Sequence, residues 1–535
     1  MRKLLLTAAL AALLLSSAAI AGPDKKDDKS KPEPKPDAAL VEPQTSNSEG
    51  SVSVEGHRVD YKAVAGTLVL HGSGDKEDEP QVSMFYVAYF KKGVAATKRP
   101  VTFIYNGGPG SATVWLHMGA FGPRRVVTSD DGHTPAAPYG LVNNDYSLLD
   151  ASDLVFIDAP GAGFSRLIAD DGDKDKRDEQ MKERKKAIYG VDGDGHAFAQ
   201  FITRFLSKYD RWNSPKYLFG ESYGTPRSAV LASDLRDVDL NGIVLLSQIL
   251  SFDNSVDDPR WNPGVDQAYA LALPTYAATA YYFHKLPAQP PALKPFLSEV
   301  EKYALGDYMA ALLKGSELSD EEKHTVAEKL HGYTGLPIDY LIRSDLRVVG
   351  GDFSKALKLD EATTIGRLDT RFQGPDINPL SEGADYDPQS DAISSAWTAA
   401  INDYLHRDLK YGQESTYWSF GGAGGDFSWD LRHHAPDGPP ANDVETGANV
   451  MPDLAFRMKL NPNMKIMLAG GYYDLATPYF EGIYEMHHLQ IPKALQSNIS
   501  YHYYEAGHMI YVNEEILKQF RTDVAAFIKS TEDGR

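Results

Sequence analysis

The chain has 535 residues, 42% of them hydrophobic and 11% aromatic, enough apolar material for a large core. Lys and Arg number 54 against 74 Asp and Glu; the formal net charge of −20 argues against nucleic acid or anionic lipid as a partner. Cysteine is absent, which excludes a disulfide framework, thiol catalysis and cysteine metal ligation.

The first residues read as an address. Arg2 and Lys3 precede an apolar run from Leu4 to Ile20, and Ala19-Ile20-Ala21 forms a small-x-small cleavage site before Gly22. This predicts a secretory signal peptide over residues 1–21 and an exported protein, periplasmic or secreted from a bacterium. The run is short for a membrane span, and no other stretch approaches that length. Residues 22–50 are mostly Lys, Asp, Pro, Glu and Ser, with almost no large apolar side chains. Such a composition cannot offset ordering entropy and predicts a disordered linker.

From Ser51 the pattern alternates as in strands, with Ala65–Leu70 and Val82–Tyr89 as an antiparallel pair. The rhythm then becomes strand, loop, helix. Val101–Tyr105 reads as a buried strand and runs into the Gly-rich turn Asn106-Gly107-Gly108-Pro109-Gly110-Ser111. Phe198, Phe201, Ile202, Phe205, Leu206 and Tyr209 fall on one helical face. Lys216–Phe219 reads as a strand, Ser228–Ala232 as a helix and Asn241–Leu246 as the next strand. Lys465–Ala469 and Ile499–Tyr504 are later strands, and Ile516, Leu517, Phe520, Val524, Phe527 and Ile528 mark a C-terminal helix. Alternating elements with continuous apolar strands predict an α/β fold around a mostly parallel central sheet. Its two parts, residues 51–253 and 453–535, flank a largely helical cap at 254–452. Tyr281, Tyr282, Trp397 and Trp418 are candidates to line a pocket there, although most cap aromatics should be core.

Three patterns imitate ligand sites. Asp171-Gly172-Asp173-Lys174-Asp175 starts like a calcium loop, but Lys176 and Lys182 stand where Gly and Glu are required. His433-His434 and His487-His488 are adjacent pairs without the i, i+4 spacing of a metal site. Gly421–Gly425 has no following Lys-Ser/Thr, so it reads as a loop rather than a phosphate cradle. No metal and no other cofactor is implied.

The chemistry points to Gly220-Glu221-Ser222-Tyr223-Gly224, the single G-x-S-x-G of the chain. It sits between a strand-like and a helix-like run, where a sharp turn exposes the serine hydroxyl above a sheet. Ser222 is therefore the candidate nucleophile. Asp474 and His508 follow it in the order such hydrolases use, each on a loop just past a predicted strand. His508 is the candidate base and Asp474 the group that orients it. The Gly-rich turn after Tyr105 can aim backbone N–H groups at an oxyanion.

Asn106-Gly107-Gly108-Pro109-Gly110, Gly220-Glu221-Ser222-Tyr223-Gly224 and Gly507-His508-Met509 together resemble the serine carboxypeptidase family, peptidases of the α/β-hydrolase fold. Arg99–Phe103, Asp153–Asp158 and Gly471–Leu475 look like its bacterial branch. The resemblance implies Ser222, Asp474 and His508 as triad, and the N–H groups of Gly108 and Tyr223 as oxyanion hole. It implies Asn106 and Glu221 as the pair that binds the terminal carboxylate of a peptide with a free C-terminus, with Glu221 protonated to do so. The alternatives are an esterase or acyltransferase with the same triad, or a non-catalytic binding protein on the same scaffold. The sequence departs from the family pattern at Ser111, where a half-cystine is usual, at Tyr105, where tryptophan is common, and at Ala120, where a second glutamate would pair with Glu221. Without that neighbour, the like-charge repulsion that raises the Glu221 pKa is missing, and a strictly acidic optimum is not expected. Oligomeric state and side-chain preference are not legible.

Overall fold

A computed structural model describes residues 42–72, 77–169, 174–257, 259–421, 427–436 and 448–532. The expected signal peptide, most of the expected linker, the start of the Asp171 charge run and residues 422–425 of the Gly-rich run lie outside the described residues.

The continuous path of the sheet is built from β1 (Thr45–Val54), β2 (His57–His71), β3 (Pro80–Lys91), β4 (Val101–Tyr105), β5 (Asp153–Ile157), β6 (Lys216–Glu221), β7 (Gly242–Leu246), β8 (Lys465–Gly471) and β9 (Ile499–Tyr504), and the short strand Arg166–Leu167 pairs with β3 off this path. Their spatial order is β1-β2-β3-β5-β4-β6-β7-β8-β9. The first three pair antiparallel, and β3 meets β5 antiparallel. From β5 through β9 every pairing is parallel. The fold is thus the expected α/β-hydrolase arrangement. Each residue of β4, β5, β6 and β7 is buried, as strands covered on both faces require.

Helices on opposite faces account for that burial. Phe103 of β4 pairs in register with Leu218 of β6, so Tyr217 and Phe219 point to the other side. Helix α1 (Val191–Lys208) lays Phe205 on Phe103 and Phe198 on Tyr105. Helix α9 (Glu514–Glu532) lays Phe520 on Phe219 and Phe527 on Tyr217. Between β6 and β7 runs α2 (Gly224–Asp234), the helix after the elbow.

One boundary needs correction. The linker expected to be disordered through residue 50 ends earlier, because β1 begins at Thr45 and is paired with β2 along its whole length. Its first residues are polar and exposed on an edge, and only Val52 and Val54 are buried. The strand is held by backbone pairing, which composition does not reveal.

Residues 254–452 contribute to two cores. Helices α3 (Gln267–Tyr282), α4 (Leu293–Tyr303) and α5 (Asp320–Thr334) bury Leu273, Leu297, Val300 and Leu330 in a cluster of their own. Helix α6 (Pro388–Arg407) instead puts Ile393, Ala396, Trp397 and Ile401 into the core of the sheet. Trp397 is therefore sheet core, and Trp418 lies under the guanidinium of Arg166, 3.9 Å from its ring centre. Tyr282 stays 37% exposed, edge-on to Tyr473 beside the Asp474 loop. Helices α7 (Met451–Leu460) and α8 (Tyr479–His487) return the chain to the sheet. Among the described residues no helix is long and apolar enough to cross a membrane.

Candidate active site

Strand β6 ends at Glu221 and α2 starts at Gly224, so Ser222 sits on a two-residue turn. Its φ of 58° is the left-handed conformation that a strand-to-helix elbow imposes. The Ser222 N–H is held by the Leu246 carbonyl at the end of β7, 2.9 Å away. The side chain is partly exposed, unlike those of Glu221 and Tyr223 on either side.

Asp474 and His508 meet above the same sheet edge. His508 Nδ1 lies 2.8 Å from Asp474 Oδ2. Asp474 is fully buried, and its acceptor capacity is taken up locally. Its Oδ1 accepts the N–H groups of Ala476 and Thr477 at 2.9 and 3.0 Å. Its Oδ2 accepts the Thr477 hydroxyl at 2.7 Å as well as the imidazole. The carboxylate is thus fixed before it orients the ring. Burial pushes the His508 pKa down, but the adjacent Asp474 carboxylate, with Glu221 assisting, more than reverses this and leaves it raised. Among the described residues no hydrogen bond joins the Ser222 hydroxyl to His508; such bonds commonly tighten only with substrate.

The Gly-rich turn packs directly on the elbow. A Cβ at Gly107 would fall 2.3 Å from the Tyr223 nitrogen and 2.7 Å from the Glu221 carbonyl oxygen, so only glycine permits this approach. Among the described residues, neither the Gly108 nor the Tyr223 N–H has a backbone acceptor. Two further ties hold the turn on either side of Ser111. The Ala112 N–H donates to the Ser419 carbonyl at 2.9 Å, and the Gly421 N–H to the Gly110 carbonyl at 2.6 Å. Tyr105 uses its hydroxyl on Ser228, 2.7 Å away.

Asn106 and Glu221 are also in contact. Asn106 Nδ2 donates to Glu221 Oε2 at 2.9 Å, and Asn106 Oδ1 accepts the Leu116 N–H at 3.1 Å. A residue not singled out in the sequence completes the group. Tyr511 directs its hydroxyl at both Glu221 oxygens, 3.0 Å from Oε1 and 2.7 Å from Oε2. Glu221 is 2% exposed, and burial raises its pKa to about 7 against the opposing pull of His508, Tyr511 and Asn106. A second glutamate is therefore not the only route to a raised Glu221 pKa. Desolvation supplies the upward shift that like-charge repulsion would have given.

Three other residues were missed, the first two because their partners are distant in sequence. Arg227 of α2 reaches the Asn106 carbonyl through Nη1 at 2.7 Å and pairs with buried Asp194 of α1. It thereby ties the Gly-rich turn to the elbow helix. Trp429 donates its indole N–H to the Tyr223 hydroxyl at 3.1 Å. Thr477, three residues past Asp474, was readable in principle, since Asp often accepts N–H groups two and three positions on.

Of the histidine pairs, His433 bridges Asp192 and Asp453 at 2.6 and 2.7 Å, and His488 lies over Tyr484. Among the described residues no group of three or more metal-ligating side chains is arranged to hold an ion.

An elbow serine between a parallel strand and a helix, with an Asp–His pair beyond later parallel strands, defines the protein as an α/β-hydrolase. The family model for serine carboxypeptidase matches residues 58–238. The match includes the Gly-rich turn and the elbow and ends before Asp474 and His508. No curated protein matches the chain in sequence. Among solved structures, a prohormone-processing carboxypeptidase from Saccharomyces cerevisiae is similar at 15% identity, with 88% of this chain and 92% of that one covered and a TM-score of 0.48. Proline iminopeptidase of Mycobacterium smegmatis gives 12% identity, 91% and 99% coverage and a TM-score of 0.33. A thermophilic esterase from Thermogutta terrifontis gives 10% identity, 90% and 98% coverage and 0.29.

Proposed function

We propose that the protein is an exported serine-type carboxypeptidase that removes the C-terminal residue of peptides through Ser222, His508 and Asp474. The observation that carries the reading is the 2.8 Å bond between His508 and an Asp474 whose other lone pairs are already occupied. That arrangement favours the tautomer with the proton on Nδ1 and leaves Nε2 as the base.

In this mechanism His508 Nε2 takes the Ser222 proton as Oγ bonds to the last peptide carbonyl carbon. The negative oxygen is received by the N–H groups of Gly108, in the Gly-rich turn, and of Tyr223, the N-cap of α2. The protonated imidazole gives its proton to the leaving nitrogen, the C–N bond breaks and the terminal amino acid departs. Water then attacks the acyl-enzyme, with His508 again accepting and returning a proton. Asn106 and Glu221 bind the free carboxylate. Asn106 and the shorter Tyr511 contact both fall on Glu221 Oε2, so Oε1, whose only contact among the described residues is the longer one to Tyr511 at 3.0 Å, is assigned the proton and donates it to the ligand. Export is proposed from residues 1–21 alone.

The test is release of the C-terminal amino acid from N-blocked dipeptides, comparing mature protein with Ser222→Ala. Release that vanishes in the variant is expected. A wild-type protein labelled at Ser222 by a fluorophosphonate, yet inactive on every dipeptide and active on esters, would move the substrate to ester or acyl transfer. Absence of labelling would remove the nucleophile role itself.

A further inference from the structure

The loop at residues 366–372 comes from the inserted stretch, far from the sheet in sequence, yet it bonds to both loops that carry Asp474 and His508. On one side, the Leu475 N–H donates to the Arg367 carbonyl at 3.0 Å and the Thr370 N–H to the Tyr473 carbonyl at 3.0 Å. On the other side, the His508 N–H donates to the Leu368 carbonyl at 2.6 Å. The preceding N–H, of Gly507, donates to Asp369 Oδ2 at 3.1 Å. Arg371 Nη1 reaches the Glu505 carbonyl at 3.3 Å.

Asp369 is the central piece of this strap. It is 1% exposed and is paired with Arg371 through Nε at 3.0 Å and Nη2 at 2.6 Å. A Cβ at Gly507 would lie 2.3 Å from the Asp369 Cβ, so glycine is what admits the carboxylate to this backbone. The strap is itself anchored. Asp387, the N-cap of α6, accepts the N–H groups of Arg367 and Leu368 at 2.6 and 2.9 Å. The Thr370 hydroxyl meets that of Thr279 in α3 at 2.7 Å.

We infer that Asp369 is a positioning residue for His508, and that the inserted stretch completes the Asp474–His508 geometry through it. This rests on the roles proposed above for His508 and Asp474. The physical reason is leverage. The imidazole hangs from a loop after the edge strand β9, and among the described residues no strand lies beyond it to hold it. Two consecutive N–H groups of that loop, those of Gly507 and His508, are held instead by the strap. The same strap holds the residue after Asp474. A small rotation of the Gly507–His508 peptide would carry the imidazole off Asp474 and change its approach to Ser222, and displacements near 1 Å can cost about a hundredfold in rate.

The experiment compares wild type, Asp369→Ala and Asp369→Asn in full-length mature protein. It measures kcat and KM on an N-blocked dipeptide, the rate of fluorophosphonate labelling, and the low-field proton resonance of His508 Nδ1–H. Asp369→Ala should lower kcat and the labelling rate about a hundredfold with KM within about threefold, and should abolish or broaden the resonance. Asp369→Asn keeps an acceptor for Gly507 and should recover at least about tenfold of the loss. A structural role alone would lower Tm in both variants while leaving the resonance and kcat of the folded fraction unchanged, and that result overturns the inference. If Asp369→Ala does not fold, Asp369→Glu decides: it keeps the charge for Arg371 but is too long for the packed site. A drop in kcat of about tenfold or more supports positioning, and wild-type kcat overturns it. Wild-type protein that fails to label at Ser222 would overturn the triad reading and the inference together. Normal labelling in wild type and in every Asp369 variant would overturn the inference alone.

Discussion

Tyr511 donates a hydrogen bond to the buried carboxyl group of Glu221, 2.7 Å from Oε2, in the place of charge relief that a neighbouring glutamate could not give. A phenol stabilises the charged form, whereas burial disfavours it, and the balance leaves the Glu221 pKa raised to about 7. If Glu221 must be protonated to bind a carboxylate, KM should be low below pH about 7 and rise above it. Tyr511→Phe removes a term that lowers this pKa, so the rise in KM should move to higher pH. Steady-state kinetics of both proteins across pH check this, and an unmoved limb would separate Glu221 from substrate binding. His508 titrates against the same group, since a proton on either favours its loss from the other. Because the His508 pKa is raised, the acidic fall in kcat/KM should lie above the ordinary histidine value of about 6.5.

Asp474→Asn should leave the loop folded, because the carboxamide oxygen can still accept from Ala476 and Thr477. It should present its amide to His508 Nδ1 and so stabilise the wrong tautomer. A fall in kcat on the order of 10⁴-fold is expected, with KM little changed. Stopped assays at saturating dipeptide measure it directly.

The Asp194–Arg227 pair predicts a stability effect without a direct role in the chemistry. Both side chains are essentially excluded from solvent, at 1% and 0% exposure. Asp194→Ala leaves a buried guanidinium uncompensated, a cost of about 3–5 kcal/mol. Urea unfolding should show it as a lower midpoint at constant slope. Replacing both partners by apolar residues, Asp194→Leu with Arg227→Met, should recover most of the loss. Activity should not recover, since the Asn106 carbonyl would still lack its Arg227 donor.

His433 makes stability depend on pH in the alkaline range. Burial pushes its pKa down, but hydrogen bonds to Asp192 and Asp453 outweigh this and raise it to about 9. A folded-state value above the unfolded one means the contribution is complete below about pH 6.5 and is lost as pH rises through about 9. Asp192 is 40% exposed, so the contribution is about 2 kcal/mol after allowance for solvent screening. Asp453 is deeper, and its own pKa is raised by burial despite the imidazolium, whereas that of Asp192 is lowered by the two histidines against the effect of burial. Thermal unfolding should show Tm falling between pH 7 and about 9.5 in wild type and a flatter profile in His433→Gln.

Much of the molecule follows from local pattern. The apolar runs at Val101–Tyr105, Lys216–Phe219 and Lys465–Ala469 are strands because continuous burial on two faces leaves no other use for them. The G-x-S-x-G pentapeptide specifies an elbow because the turn is short and its glycines are sterically required, so Ser222 is legible from five residues. Chain order, with their places just past predicted strands, then singles out Asp474 and His508 as candidates. These features are encoded by residues near one another in sequence.

What the sequence leaves open depends on meetings between distant segments. Tyr511 reaches Glu221 across 290 positions, and Asp369 reaches Gly507 across 138. A tyrosine and an aspartate at those positions look like any others until the fold brings them together. The upward shift of Glu221 has the same origin. Its protonation state depends on how much water the surrounding core excludes, which no neighbouring residue in the sequence records. The polar start of β1 likewise gains its order from a partner strand rather than from its composition. The sequence determined the candidate reactive groups and the frame that carries them. Only the tertiary structure decided their environment, because desolvation and long-range hydrogen bonds exist only once the chain has closed around them.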